Sequence, residues 1–113
     1  MSSVIGIVSI VNLQGYKVTC LFDNGEERVI DFERLLRKWN AKKDKRLSQL
    51  LVSENFEQIK VQEDTLAWPN IRIRTKLSNG KSFDLPLDLD PVVLYNESEL
   101  GSQQKESLLE IKT

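Results

Sequence analysis

Seven of the sixteen basic residues in this chain, Arg34, Arg37, Lys38, Lys42, Lys43, Lys45 and Arg46, fall within 13 positions that hold a single acid, Asp44. A local charge of +6 suits phosphate or an acidic protein surface. It also suits a solvated helix face, the commoner origin of such runs. Arg72, Arg74 and Lys76 alternate further on and would line one face of a strand, as in ribbons that enter a nucleic-acid groove. A solvated sheet face needs the same pattern, and a formal net charge of −1 lacks the positive balance of most DNA binders. From Asp84 to Glu99 the sign reverses, with Asp84, Asp88, Asp90, Glu97 and Glu99 and no Lys or Arg. The two segments could therefore pair within one molecule or between two copies.

Catalytic chemistry is poorly supplied. The chain has no histidine and one cysteine, Cys20, which removes imidazole acid–base catalysis, His-activated nucleophiles, internal disulfides and Cys/His zinc sites. Cys20 alternates with Val18 and Phe22 and reads as a small core residue. Asp88 and Asp90 have the spacing that opens a calcium loop, but the glycine and the distant bidentate glutamate are missing. Asp90 before Pro91 is explained by helix capping. No glycine-rich phosphate loop occurs. Neither a catalytic residue, a cofactor nor a metal is expected. For recognition, Trp68 at a strand end and Tyr95 are candidate aromatic anchors, whereas Trp39 belongs to a helical apolar stripe and reads as core.

The elements that position these groups follow from periodicity. At 113 residues and 13.0 kDa one core is expected. Val4 to Val11 is a β-branched run stopped by Asn12-Leu13-Gln14-Gly15. Tyr16, Val18, Cys20 and Phe22 alternate with polar residues, and Asp23-Asn24-Gly25 turns the chain into Arg28 to Phe32. A two-residue Asn24-Gly25 turn would set Val18 against Asp31. A three-residue loop with Gly25 left-handed pairs Val18 with Ile30 and Tyr16 with Phe32, keeping one face apolar. The device recurs at Ser78-Asn79-Gly80, where a three-residue loop pairs Thr75 with Phe83, Ile73 with Leu85 and Ile71 with Leu87. Convergence explains this copy better than duplication, because any good hairpin needs the same pattern.

Two short helices lie between the hairpins. Asp31 caps the first, in which Phe32, Leu35, Leu36 and Trp39 share a face. After a polar, lysine-rich loop from Asn40 to Lys45, Leu47, Leu50 and Leu51 form the stripe of the second. Glu57 to Val61 and Thr65 to Trp68 read as strands around a turn at Gln62-Glu63-Asp64, with Pro69 marking an edge or break. Asp90-Pro91 starts one helical turn through Tyr95. The expected fold is α+β, one antiparallel sheet of about six strands with two short helices. Residues 1–95 form the domain, and 96–113 form a polar, mobile tail carrying Leu108, Leu109 and Ile111.

The run Leu21-Phe22-Asp23-Asn24-Gly25-Glu26, with Val29-Ile30-Asp31, Leu35-Leu36, Leu47-Ser48-Gln49-Leu50 and Asn55 to Val61, then Leu66-Ala67-Trp68-Pro69-Asn70 and Asp88-Leu89-Asp90-Pro91 to Leu94-Tyr95, resembles domain-of-unknown-function family 2442. The resemblance spans Gly15 to Tyr95 and implies a small bacterial, non-enzymatic α+β module, often encoded beside a second small protein in what look like toxin–antitoxin pairs. It carries no catalytic residues. Family members commonly pass from the Trp-Pro-Asn segment to the Asp-Pro segment within a few residues, so Ile71 to Leu87 stands here as an extra hairpin.

These readings converge on a protein-binding or regulatory module, the antitoxin-like member of a bacterial two-protein system. Its contacts would be Arg34, Arg37, Lys38, Lys42, Lys43, Lys45 and Arg46, with Trp68 and the tail. Nucleic-acid binding through that segment and Arg72, Arg74 and Lys76 is the alternative, and a homodimer is a further possibility. No charged-then-apolar leader opens the sequence and no apolar run approaches the roughly 20 residues of a bilayer span, so the expected compartment is the cytoplasm.

Overall fold

The computed structural model describes residues 5–101. Among them, seven strands form two antiparallel sheets, where one sheet of about six was expected. The first holds β1 (Ile7–Gln14), β2 (Lys17–Phe22), β3 (Glu27–Asp31) and β7 (Glu99–Leu100), in the order β1-β2-β3-β7. The second holds β4 (Lys60–Gln62), β5 (Thr65–Lys76) and β6 (Ser82–Asp88), with β5 central. A backbone bond fastens them at one corner, where the Ile7 amide donates to the Asp64 carbonyl at 2.7 Å; beside it the Asp23 amide donates to the Gly6 carbonyl at 2.9 Å and closes the end of the first sheet. Gly6 is small for a reason, since a Cβ there would lie 3.1 Å from both the Asp23 carboxylate and the Asp64 Cβ.

Both hairpin loops have the expected length. The Gly25 and Gly80 amides return to the Phe22 and Leu77 carbonyls, both glycines are left-handed at φ 87° and 86°, and Val18 faces Ile30 while Thr75 faces Phe83. In each, the asparagine side chain accepts from the amide two residues on, Asn24 from Glu26 and Asn79 from Lys81. Asp31 and Asp90 cap helices as expected, accepting from the Arg34 and Val92 amides; the helices are α1 (Phe32–Lys38) and α3 (Pro91–Glu97).

Four details correct the sequence reading. β1 continues to Gln14 because it absorbs two register shifts, between Ile7 and Ser9 and between Ile10 and Asn12, leaving Val8 and Val11 on the surface. The second helix is split into a 3-10 turn at Leu47–Leu51 and one α turn, α2 (Ser53–Phe56); Leu47 and Leu50 are buried but Leu51 is exposed. The strand expected from Glu57 begins only at Lys60, and a two-residue turn at Glu63-Asp64, both at positive φ, joins it to β5. Pro69 does not end β5: the strand bulges there, so Leu87 faces Trp68 instead of Ile71.

The core gathers one face of each sheet around α1. Tyr16, Phe32, Phe56 and Trp68 form an aromatic cluster with ring centroids 4.4 to 5.8 Å apart. Trp68 is fully buried, and its indole N–H donates to the Phe56 carbonyl at 3.0 Å. It is therefore core and not a surface anchor, because the bulge after it tucks its side chain beneath α2. Trp39 closes the end of α1 and is half-buried, less than a full core residue. Cys20 is buried in β2, as expected.

Secondary structure continues beyond residue 95. α3 runs to Glu97, Glu99–Leu100 pairs with β3, and the Gly101 amide donates to the Glu27 carbonyl. The boundary read at 95 thus falls inside a helix. Leu108, Leu109 and Ile111 lie outside the described residues.

Candidate functional site

Sequence reasoning grouped seven cations by adjacency; the fold sorts them by partner. Arg34 and Lys38, one turn apart on α1, both reach Glu97 at the end of α3: the Arg34 guanidinium lies 3.9 Å from its carboxylate and donates to its backbone carbonyl at 2.8 Å, and the Lys38 ammonium donates to the same carboxylate. The Lys38 hydrogen bond, then the two positive charges, hold the Glu97 carboxyl below the usual range. This is the basic-to-acidic pairing the charge pattern allowed, made within one molecule. Arg37 has only an exposed contact to Glu33 at 3.4 Å, of little energetic weight.

Asp44, the lone acid of the run, has a structural role that composition alone did not signal. Its carboxylate accepts from the Leu47 and Arg46 amides, at 3.1 and 2.8 Å, and lies 3.5 Å from the Arg46 guanidinium. The two amides, ahead of the arginine, hold its carboxyl below the usual range. Among the described residues, Lys42, Lys43 and Lys45 have no acid within ion-pair distance, and all are exposed.

Of these lysines, Lys42 lines an open cleft of about 600 Å³. Tyr16, Leu36, Ala41 and Leu51 give it apolar walls, and Glu33, Arg37 and Lys42 supply charge of both signs, with Glu33 lying 3.4 Å from Arg37. Tyr16 is held in place by its hydroxyl, which donates to the Leu50 carbonyl at 2.8 Å. Burial, with the nearby Glu57 charge, pushes that phenol up. Asn40, at the end of α1, adopts a left-handed conformation at φ 55°, which swings the following residues over the cleft and buries Ala41. Arg37 already faces Glu33, so among the described residues Lys42 is the cation of this lining with no acid within ion-pair distance, and the pocket suits an apolar side chain followed by an acid.

Arg72, Arg74 and Lys76 occupy one exposed face of β5. Arg74 lies 4.0 Å from Asp84 across the hairpin and donates to Ser82, while Arg72 donates to the Asp84 carbonyl. No hydrogen bond or ion pair among the described residues joins this stripe to the 34–46 segment.

A second polar cluster was invisible in the sequence because its members lie about 70 positions apart. The Tyr95 hydroxyl donates to Glu26 at 2.7 Å and accepts from the Asn24 amide at 3.3 Å. The Arg28 guanidinium lies over the Tyr95 ring at 4.4 Å, bonds Glu26 at 2.8 Å, and donates to the Ser98 hydroxyl and carbonyl. The Tyr95 hydrogen bond, then Arg28, lowers the Glu26 carboxyl. Among the described residues no buried side-chain polar atom lacks a partner, and no three His, Cys, Asp or Glu side chains group to hold a metal ion.

The turn Asp23-Asn24-Gly25-Glu26 and the Leu94-Tyr95 pair, through which the sequence resembles a family, thus meet in space. The family model described as Protein of unknown function (DUF2442) matches residues 7–99. The chain belongs to the DUF2442 family. The match runs past both ends of the segment first recognised, and the DUF2442 region includes β1 and the start of β7. Neither the curated proteins nor the solved structures compared with this DUF2442 chain give a match. No helix among the described residues is long and apolar enough to cross a membrane.

The ionisable groups set a stability profile for this DUF2442 fold. Glu26, Asp44 and Glu97 have lowered folded-state pKa values, so their contribution is present above the unfolded values near 4 and is lost as pH falls through the folded ones. Burial pushes the Cys20 thiol up to about 12. Its raised value gives the opposite sign: stability is intact below the unfolded thiol pKa of roughly 8.5 and is lost as pH rises towards 12. With no histidine, the thermal midpoint is expected to stay flat from about pH 5.5 to 8 and to fall on both sides. Cys20→Ala should blunt only the alkaline fall; an unchanged alkaline limb in differential scanning calorimetry would contradict this assignment.

Proposed function

We propose that this chain is a non-enzymatic protein-binding module, the regulatory, antitoxin-like member of a bacterial two-protein system acting in the cytoplasm. The observation that carries the reading is the cleft beside α1, where apolar walls meet the Arg37–Glu33 pair and Lys42, which has no acid within ion-pair distance among the described residues, with exposed Lys43 and Lys45 following in the chain. The partner is a small protein whose acidic segment sets an apolar side chain against Tyr16, Leu36 and Leu51. Charge complementarity of this kind chiefly sets encounter rate and specificity. Exposed Leu51 and Val52 extend the contact.

The protein reading is preferred to nucleic-acid binding because Arg34, Lys38 and Arg46 already have acidic partners, and Arg72 and Arg74 are engaged across their own hairpin. Affinity capture of the tagged full-length chain from its native host tests it. The wild type should retain one small protein stoichiometrically, and a Lys42→Glu/Lys43→Glu variant should retain about tenfold less. Equal retention by the variant, or recovery of nuclease-sensitive nucleic acid in place of a protein, would overturn the reading.

A further inference from the structure

The cleft beside α1 does not end at Tyr16. A second, more polar depression of about 470 Å³ adjoins it and shares Tyr16, Glu33 and Arg37 as a common wall. Its far side is formed by the Gln14-Gly15 turn, Lys17, Asp31 and Arg34. Together the two make one groove along the side of α1, from the cap at Asp31 to the lysine loop after Asn40. Most charges along it are already engaged within the chain. Glu33 meets Arg37, Arg34 bonds the Glu97 carbonyl, and the Asp31 carboxylate accepts from the Arg34 amide. Lys17 and Lys42 differ: both are exposed lining residues, and neither has an acid within ion-pair distance among the described residues. Lys17 pairs in register with Asp31, ahead of α1, and Lys42 follows the end of that helix. The groove therefore has an unpaired cation at each end, a polar half beside Lys17 and an apolar half beside Lys42.

Given the protein-binding reading on which this rests, we infer that the partner enters the groove as an extended segment, with two acids four residues apart and an apolar residue just before the second. Spacing sets the pattern. Between the cap and the lysine loop α1 advances about 14 Å at roughly 1.5 Å per residue, a span that an extended chain covers in about four residues of roughly 3.4 Å. Residues i and i+4 of such a chain point one way, while i+1 and i+3 point the other. With both acids turned out to the rim lysines, the residue before the second acid turns in between Leu36 and Leu51, and the residue after the first turns in towards Gln14 and Asp31. The inward positions thus ask for one apolar and one polar side chain, as the two halves of the groove require. A helical segment does not meet these terms. Over the same span its acids would stand about nine residues and 2.5 turns apart, on opposite faces, so only one could reach a lysine.

Fluorescence anisotropy of the full-length chain with a labelled peptide, Gly-Glu-Ser-Thr-Leu-Glu-Gly, tests this. A dissociation constant on the order of 100 μM is expected, since so short a contact must offset the cost of association. Lys17→Glu should weaken binding about fivefold. The peptide whose first Glu is replaced by Lys should recover that loss with the variant and bind the wild type poorly. A peptide with closer acids, Gly-Glu-Leu-Glu-Gly, should bind the wild type no better than Lys17→Glu binds the original. Lys17 is exposed, so an unchanged thermal midpoint shows that the variant keeps its fold. No saturable binding up to about 2 mM peptide, indifference to Lys17→Glu, or equal binding of the closer-spaced peptide overturns the inference. Capture from the native host separates it from the reading beneath it. A Lys17→Glu chain that retains the partner fully, where Lys42→Glu/Lys43→Glu loses it, overturns the extended groove and leaves the protein-binding reading standing; a wild type that captures no protein overturns both.

Discussion

Trp68→Ala is expected to destabilise the fold by about 4 kcal/mol, a large share of the roughly 5–15 kcal/mol that a domain of this size commands. The indole is fully buried between Phe32 and Phe56, each ring 5.8 Å away, and its N–H satisfies the Phe56 carbonyl. Alanine leaves a cavity where β5, α1 and α2 meet and removes one of that carbonyl's two donors, the other being the Ile59 amide at 3.1 Å. Trp68→Phe keeps most of the volume and loses the hydrogen bond, so about 1–2 kcal/mol is expected. The midpoint of urea unfolding measures both. A loss below about 1 kcal/mol for Trp68→Ala would place the ring in a looser, surface-like environment.

The second large effect is expected at Tyr95. Its ring stands edge-on to Phe22 with centroids 5.2 Å apart and lies under Arg28, while its hydroxyl bonds Glu26 and Asn24. Tyr95→Ala removes the aromatic pair, the cation–π contact and the hydrogen bonds together, for about 2–3 kcal/mol. Tyr95→Phe removes only the hydroxyl, for about 1 kcal/mol. A double-mutant cycle with Glu26→Gln should return a coupling energy of at least about 0.5 kcal/mol, as for groups in direct contact. Simple additivity would show that the hydrogen bond contributes nothing and that the ring alone fastens α3 to the first hairpin.

The two tryptophans show where the sequence was legible and where it was not. Local chemistry read well: loop length followed from which residues could face each other across Asp23-Asn24-Gly25 and Ser78-Asn79-Gly80, and Asp31 and Asp90 cap the helices they precede. Trp68 was misplaced because burial at a strand end depends on what lies beneath, here α2, and on the bulge at Pro69. Trp39 followed the helical period, but the helix ends at it, so it loses the flanking turn that would have covered it. One sheet became two because strand order is a long-range property: among the described residues β1 meets the β4–β5 turn through the single Ile7–Asp64 backbone bond and does not pair along β4. The basic segment was found by counting, but counting could not show that Glu97, some 60 residues later, would claim Arg34 and Lys38. Nor does composition reveal a cleft, which exists because Asn40 turns left-handed and folds the lysine loop back beside Tyr16.

The pairing of Trp68 with Leu87 and of Ala67 with Asp88 sets the two ends of the β5–β6 arm side by side where it leaves the core. Everything from residue 72 to residue 86 is a detour that starts and finishes at one place. Lengthening, shortening or removing that detour need not re-thread any core element, and loop-closure entropy changes only slowly with its length. The arm is therefore an accessory whose length can change while the aromatic core and the Tyr95 clasp stay as they are.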